Sequence, residues 1–231
     1  MHIFTEIDQQ LLFLFNGSNS LFLDNIIVTL TSGVVWIPMY IALFYIIMKE
    51  NETMAQINLI VACAIAAVVV TACITNFIVK PVIARPRPLN DPLIKYMVDM
   101  VIPIGNKDYS FFSAHAANTS VVATYLSFIF KRKRFTIAMS TWVVLNCYTR
   151  LYLGMHYPSD ILCGLIFGIG MGYCFYRLFL RLQIHYFHTT IAEETGGTDD
   201  FSYKISGNDI DIIITVMVLI LAFAILKASF I

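Results

Sequence analysis

Five residues carry a positive charge or an imidazole where apolar runs of the sequence end: Lys80, Arg87, His115, Arg150 and His156. Three permanent cations brought together make an anion site. Arginine adds planar, two-pronged geometry matched to phosphate oxygens, and lysine adds a point charge. Ser113 directly precedes an apolar run, where its hydroxyl would cap a helix. The open amides of that first turn, near Ala114 and His115, would point at an anion as well. Two imidazoles titrate near neutral pH, so one can attack phosphorus while the other protonates a leaving oxygen. Asp160 follows His156 by four residues, and a carboxylate one turn away can accept the second ring N–H and fix the tautomer. Together these groups suit charge that builds on a phosphoryl group in transfer. No cysteine or carboxylate cluster points to a metal, and no cofactor is expected.

The elements that must position these residues lie in lipid. The chain of 231 residues is 58% hydrophobic and 13% charged, where soluble chains run near half and a quarter. Net charge is zero, which gives no bias toward nucleic acid. Cys63, Cys73, Cys147, Cys163 and Cys174 all sit in apolar runs without metal spacing, as small packing residues do. Nothing at the N-terminus reads as a cleavable leader.

A span needs about 20 mostly apolar residues. Six stretches qualify: Asn25 to Met48, Met54 to Val79, Ala114 to Phe130, Phe135 to Tyr152, Ser159 to Leu182, and Ile210 to Phe230. Asn118, Ser120 and Asn146 within them read as inter-helix packing groups. Ile3, Ile7, Leu11 and Leu14 recur at helical spacing before the first span, which predicts an interfacial helix over 3–15. Pro81, Pro86, Pro88 and Pro92 should stop the second span at the opening of an outer loop. Within that loop, Leu93 to Ile102 is amphipathic and reads as a second interfacial helix. Thr189 to Asp209 reads as a flexible surface loop. The expected architecture is an all-α integral membrane bundle of about six transmembrane helices. It forms a single domain over 1–231, with its core near 53–181, a last span near 210–230, and the outer loop over the site.

Lys131-Arg132-Lys133-Arg134 should be cytoplasmic. Alternation of the spans then brings Lys80, Arg87, His115, Arg150 and His156 to one layer at the opposite face. The localisation implied is a cytoplasmic membrane of bacterial type, with the site outside.

At these residues the sequence resembles the type-2 phosphatidic acid phosphatase family, whose motifs are KxxxxxxRP, PSGH and SRxxxxxHxxxD. The first stands complete as KPVIARPRP, Lys80 to Pro88; the third stands as TRLYLGMHYPSD, Thr149 to Asp160. The second stands as FSAH, Phe112 to His115, and departs at two of its four positions. Three motifs in order on the right span ends are far more specific than one. The resemblance implies that Lys80, Arg87 and Arg150 hold phosphate with Ser113 and the Ala114 amide. It implies His156 as nucleophile, Asp160 as its orienting group and His115 as general acid, without a metal. Phe112 in place of proline is expected to loosen the first turn of the third span, and Ala114 to narrow the pocket. Arg85 fits no motif position and is assigned to the surface. The implied activity is hydrolysis of a lipid phosphate, with undecaprenyl diphosphate or phosphatidylglycerol phosphate favoured on family resemblance. A lipid A phosphatase is the alternative within the family. A vanadium-dependent haloperoxidase and a non-catalytic membrane binding protein are the alternatives outside it. The partners are the lipid substrate and the membrane.

Overall fold

The computed structural model describes residues 2–49, 53–102, 109–186 and 206–230. All regular structure among them is helical: α1 (His2–Phe15), α2 (Leu21–Thr31), α3 (Ile37–Lys49), α4 (Met54–Cys73), a short α5 (Lys80–Ile83), α6 (Ala114–Phe130), α7 (Lys133–Tyr152), α8 (Pro158–Tyr186) and α9 (Gly207–Ser229). Three helical stretches are long and apolar enough to cross a membrane: Met54–Asn90, Pro158–Tyr186 and Gly207–Ser229. A fourth qualifies if the bent pair of Leu21–Thr31 and Gly33–Lys49 is one span. The polar loop expected from Thr189 lies outside the described residues up to 205.

Two of the six expected spans, α6 and α7, do not meet that test. α6 has only 17 residues, and α7 carries Lys133, Arg134, Asn146 and Arg150. Their composition follows from their position. α6 sits in the middle of the bundle against α4, α7 and α8, so its side chains face protein rather than lipid. Tyr125 and Ile129 of α6 and Met139 and Trp142 of α7 are almost wholly buried. By contrast, Ile65 and Phe77 of the second span, Ile166 of α8 and Leu219 of α9 point outward.

Three glycines on α8 bring it close to α6. A Cβ at Gly164 would lie 2.7 Å from the Ser113 carbonyl oxygen, at Gly168 2.3 Å from that of Ala117, and at Gly172 2.8 Å from that of Val121. Glycine every fourth residue therefore lets the two backbones touch, as small residues do between membrane helices.

The expected first span is not straight. α2 and the helix after it meet at 66°, across Ser32 and a 3₁₀ turn over Gly33–Trp36. Pro38, the second residue of α3, has no N–H to give back across that break. The second span also departs from expectation, because Pro81 does not end it. A π-helical turn over Ile74–Val79 resets the hydrogen-bond register just ahead, so Pro81 falls in the first turn of α5, where its missing donor is harmless. The helix ends instead at Ala84, in the left-handed conformation at φ 48°, whose N–H bonds the Lys80 carbonyl at 2.9 Å.

At the end of the bundle away from these breaks, Lys49 pairs with Asp209 at 2.7 Å and Arg134 with Asp211 at 2.6 Å. These pairs join α3 and α7 to the start of α9.

α1 forms as expected, but it packs on protein as well as facing outward. Its Leu12 is buried with Ile94, Val98 and Tyr157, while Ile7, Leu11 and Leu14 are exposed. The second interfacial helix is not formed. Residues 92–97 make successive turns instead, with Val98 N–H to the Ile94 carbonyl at 3.2 Å. Ile94 and Val98 are drawn inward to Leu12, which leaves Leu93, Tyr96 and Met97 outside.

Candidate active site

The ends of α2, α5, α6 and α7, with the connection that carries His156, surround a cavity of about 580 Å³. Lys80, Arg87, Ala114, His115, Arg150 and His156 all line it. Ser113 and Asp160 stand just behind, both fully buried. All eight residues singled out in the sequence thus meet at one end of the bundle.

Ser113 caps α6, and its hydroxyl accepts from the Ala116 N–H at 3.4 Å. Its own N–H donates to the Asp160 carbonyl at 3.1 Å. That bond ties the first turn of α6 to the first turn of α8, at the level where Gly164 lets them touch. Phe112 does not loosen this turn: it is buried, and its ring packs against Phe167 of α8 with centroids 4.9 Å apart. Aromatic packing replaces the conformational restraint of a proline.

His156 follows α7 and precedes α8 in a short connection, and its ring is 3% exposed. Nδ1 faces Asp160 Oδ2 at 3.8 Å and the Ser110 hydroxyl at 3.3 Å, which leaves Nε2 for the cavity. A distance of 3.8 Å is too long for a hydrogen bond. The expected direct bond from the imidazole to Asp160 is therefore replaced by an arrangement in which Ser110 approaches both, its hydroxyl donating to Asp160 Oδ2. Burial is the main force holding the His156 imidazole below the ordinary histidine value. Asp160 pulls upward, while Arg87 and Lys80 push further down. A neutral ring keeps the lone pair that a nucleophile needs.

Asp160 has its oxygens filled. Oδ2 also accepts from the Tyr157 N–H at 3.0 Å, and Oδ1 from Arg85 Nη1 at 2.7 Å. Arg85 does not point into solvent as expected. Its guanidinium lies over the Tyr157 ring at 3.8 Å and donates through Nη2 to Asp8 Oδ2 at 2.6 Å. Asp8 in turn accepts from the Ser159 N–H at 2.9 Å and hydroxyl at 2.5 Å. A residue of α1 thereby satisfies the open first turn of α8, where a carboxylate is favoured.

Arg150 is 5% exposed. Nη2 donates to the Thr31 carbonyl at the α2 break at 3.1 Å, Nη1 contacts Met155 Sδ at 3.2 Å, and Nε has no partner among the described residues. A buried guanidinium with only a carbonyl and a thioether lacks the countercharge that burial requires. An anion in the cavity would supply it. Thr149, in place of the motif's serine, donates to the Asn146 carbonyl at 2.8 Å and receives Thr31 Oγ1 at 3.2 Å.

Asp8, Arg85 and Ser110 were missed in the sequence, as were the α8 glycines. For the glycines a signal existed, a four-residue repeat within an apolar run. Arg85 had its place between two motif residues, but its partner lies 77 positions away.

The PAP2 superfamily model matches residues 55–184, which holds every one of the eight. A lipid A 4'-phosphatase of Bacteroides thetaiotaomicron is 34% identical over 186 residues, covering 78% of this chain and 81% of that protein. An undecaprenyl-diphosphatase of Bacillus subtilis is 27% identical over 108 residues, covering 47% of this chain and 52% of that protein. Among solved structures, LpxE of Aquifex aeolicus superposes with a TM-score of 0.53 at 23% identity, covering 73% of this chain and 94% of that one; at that identity it speaks for the fold. The match over more than half the chain shows that this protein belongs to the PAP2 superfamily, as a membrane hydrolase of lipid phosphate esters.

Proposed function

We propose that this protein removes a phosphate monoester from a lipid A-type glycolipid at the outer face of a cytoplasmic membrane, through a phosphohistidine. The observation that carries the reading is the convergence of Lys80, Arg87, Arg150, His115 and His156 on one cavity. The relative that matches four-fifths of its own length is a lipid A 4'-phosphatase, whereas the undecaprenyl-diphosphatase matches about half of its own. That balance favours the glycolipid over undecaprenyl diphosphate and phosphatidylglycerol phosphate.

In this mechanism the three cations hold the non-bridging phosphate oxygens, assisted by the Ser113 hydroxyl and the Ala114 amide. The His156 Nε2 lone pair attacks phosphorus as the bond to the sugar oxygen breaks. His115 gives its proton to that oxygen, and the alcohol leaves. The neutralised His115 then takes a proton from water as the water oxygen attacks the phosphohistidine, and inorganic phosphate departs with His156 restored. Asp160 stabilises the charge on the His156 ring through the step. The cations supply charge stabilisation to a dissociative transition state. The face assignment rests on Lys131 to Arg134 and Lys49 lying at the end opposite the cavity, with basic residues favoured on the cytoplasmic side.

Phosphate release from purified protein and a phosphorylated N-acyl glucosamine lipid tests the reading. Wild-type protein is expected to release phosphate with chelator present and to yield an acid-labile, base-stable phosphoryl adduct. His156→Ala is expected to do neither. Equal release by both would overturn it.

A further inference from the structure

The cavity does not end at the charged layer. Each of three helical segments lining it places an asparagine about one turn deeper in the bundle: Asn76 four residues before Lys80, Asn118 four after Ala114, and Asn146 four before Arg150. One turn is about 6 Å along a helix, so the three carboxamides form a second layer beneath the cations. Three asparagines in otherwise apolar helices are costly unless satisfied. Here they are not satisfied by one another. Asn146 Nδ2 donates to the Trp142 carbonyl of its own helix at 2.9 Å. Asn118 Oδ1 has no partner among the described residues, nor has Trp142 Nε1. Inter-helix packing, expected from the sequence for Asn118 and Asn146, would instead have produced bonds between helices.

We propose that Asn76, Asn118 and Asn146, with the Trp142 indole, form a binding subsite for hydroxyl and amide groups next to the phosphate of an acylated sugar. This rests on the phosphatase reading and specifies the substrate class of the same site. A carboxamide offers two N–H donors and an acceptor, which matches the alternating donors and acceptors of a saccharide carrying N-acyl groups. A polyprenyl phosphate places only hydrocarbon at this depth and would leave the layer unpaired. The volume agrees, since 580 Å³ is the size of a pocket for a whole small molecule rather than for a phosphoryl group. Beneath the layer, Tyr40, Val68 and Val122 are shared with an apolar groove walled by Leu43, Phe44 and Ile65. The groove adjoins the cavity across these shared residues and, on this proposal, takes the acyl chain. Phosphate, polar ring and chain thus meet cations, carboxamides and aliphatic wall in the order in which a phosphoglycolipid presents them.

The test compares two ligands on the full chain in detergent. One is a phosphorylated N-acyl glucosamine lipid, read as KM. The other is inorganic phosphate, which reaches only the cation layer and is read as a competitive Ki. For Asn118→Leu, which keeps the branched shape and removes the hydrogen bonds, the ratio of KM to Ki should rise about tenfold or more. Asn76→Leu, at an exposed position, should shift it the same way and decides the matter if Asn118→Leu fails to fold. An unchanged ratio in the folded variants, whether both constants moved or neither, would overturn the subsite. Phosphate release by wild type from no lipid at all would instead sink the phosphatase reading, and the subsite with it.

Discussion

At the scale of single residues, the placing of the His156 imidazole depends on groups that do not line the cavity. Arg85 bonds Asp160 on one side and Asp8 on the other. Losing it leaves a buried carboxylate without its cation and frees Asp160 to shift from its place behind the imidazole. Arg85→Gln should lower kcat by about 10- to 100-fold, the range for losing a partner that orients a working histidine. KM should change little, because the proposed phosphate-holding residues Lys80, Arg87 and Arg150 are left in place; steady-state kinetics separate the two. The depressed pKa of His156 makes a second prediction. In the proposed mechanism its neutral form attacks, so the acid limb of kcat/KM should fall below the ordinary histidine value of about 6.5. The same sign holds for folding. The unfolded chain takes up a proton on His156 below about pH 6.5 and the folded one does not, so this contribution to stability is present above that pH and lost below it. A pH–rate profile whose acid limb stands at or above 6.5 would contradict the burial argument.

At the scale of elements, the contact of α6 with α8 aligns the capping serine with the carboxylate. Gly168→Ala would press a methyl group to 2.3 Å from the Ala117 carbonyl oxygen. The helices must separate, at a cost of about 1–3 kcal/mol. Gly170 lies two residues away, and a Cβ there meets nothing within 4 Å. Gly170→Ala should therefore be neutral or slightly stabilising, since alanine is the better helix former. Thermal unfolding in detergent distinguishes the pair. The sequence made the helices legible because apolar runs in lipid have few alternatives, and it made the charged layer legible because three motifs stand in order at span ends, where a single cation would read as an interfacial anchor. It left the reach of Arg85 hidden, because a motif-adjacent arginine looks the same whether it meets water or an aspartate on another helix. Asn118 and Asn146 were misjudged for a related reason: a polar residue in a span must face protein, but composition does not say whether it faces a neighbour or a cavity. The bend at Ser32 was carried by Gly33 and Pro38, yet hydropathy averages across both.

For the whole molecule, the ion pairs Lys49–Asp209 and Arg134–Asp211 mark one end, and the cavity marks the other. In a chain with its native cysteines replaced, Tyr96→Cys should react with a membrane-impermeant thiol reagent on intact cells, and Lys131→Cys should react only after lysis. The reverse pattern would turn the protein over. The three ends that supply the cations and the two histidines are far apart in sequence, from Lys80 to Asp160, and only the alternation of helices brings them level.

The bonds from Asp8 to Arg85 and Ser159 also bear on how the protein is made. Asp8 leaves the ribosome before Arg85, and Ser159 and Asp160 follow later still. Until residue 160 has emerged, α1 has no α8 to seat on, and Asp8 and Arg85 lack the Ser159 and Asp160 groups that complete their network. The His156 imidazole therefore gains its backing carboxylate only after α1 to α7 have been made. The network is complete only when α1 closes on the start of α8, with Ser159 made 151 residues after Asp8.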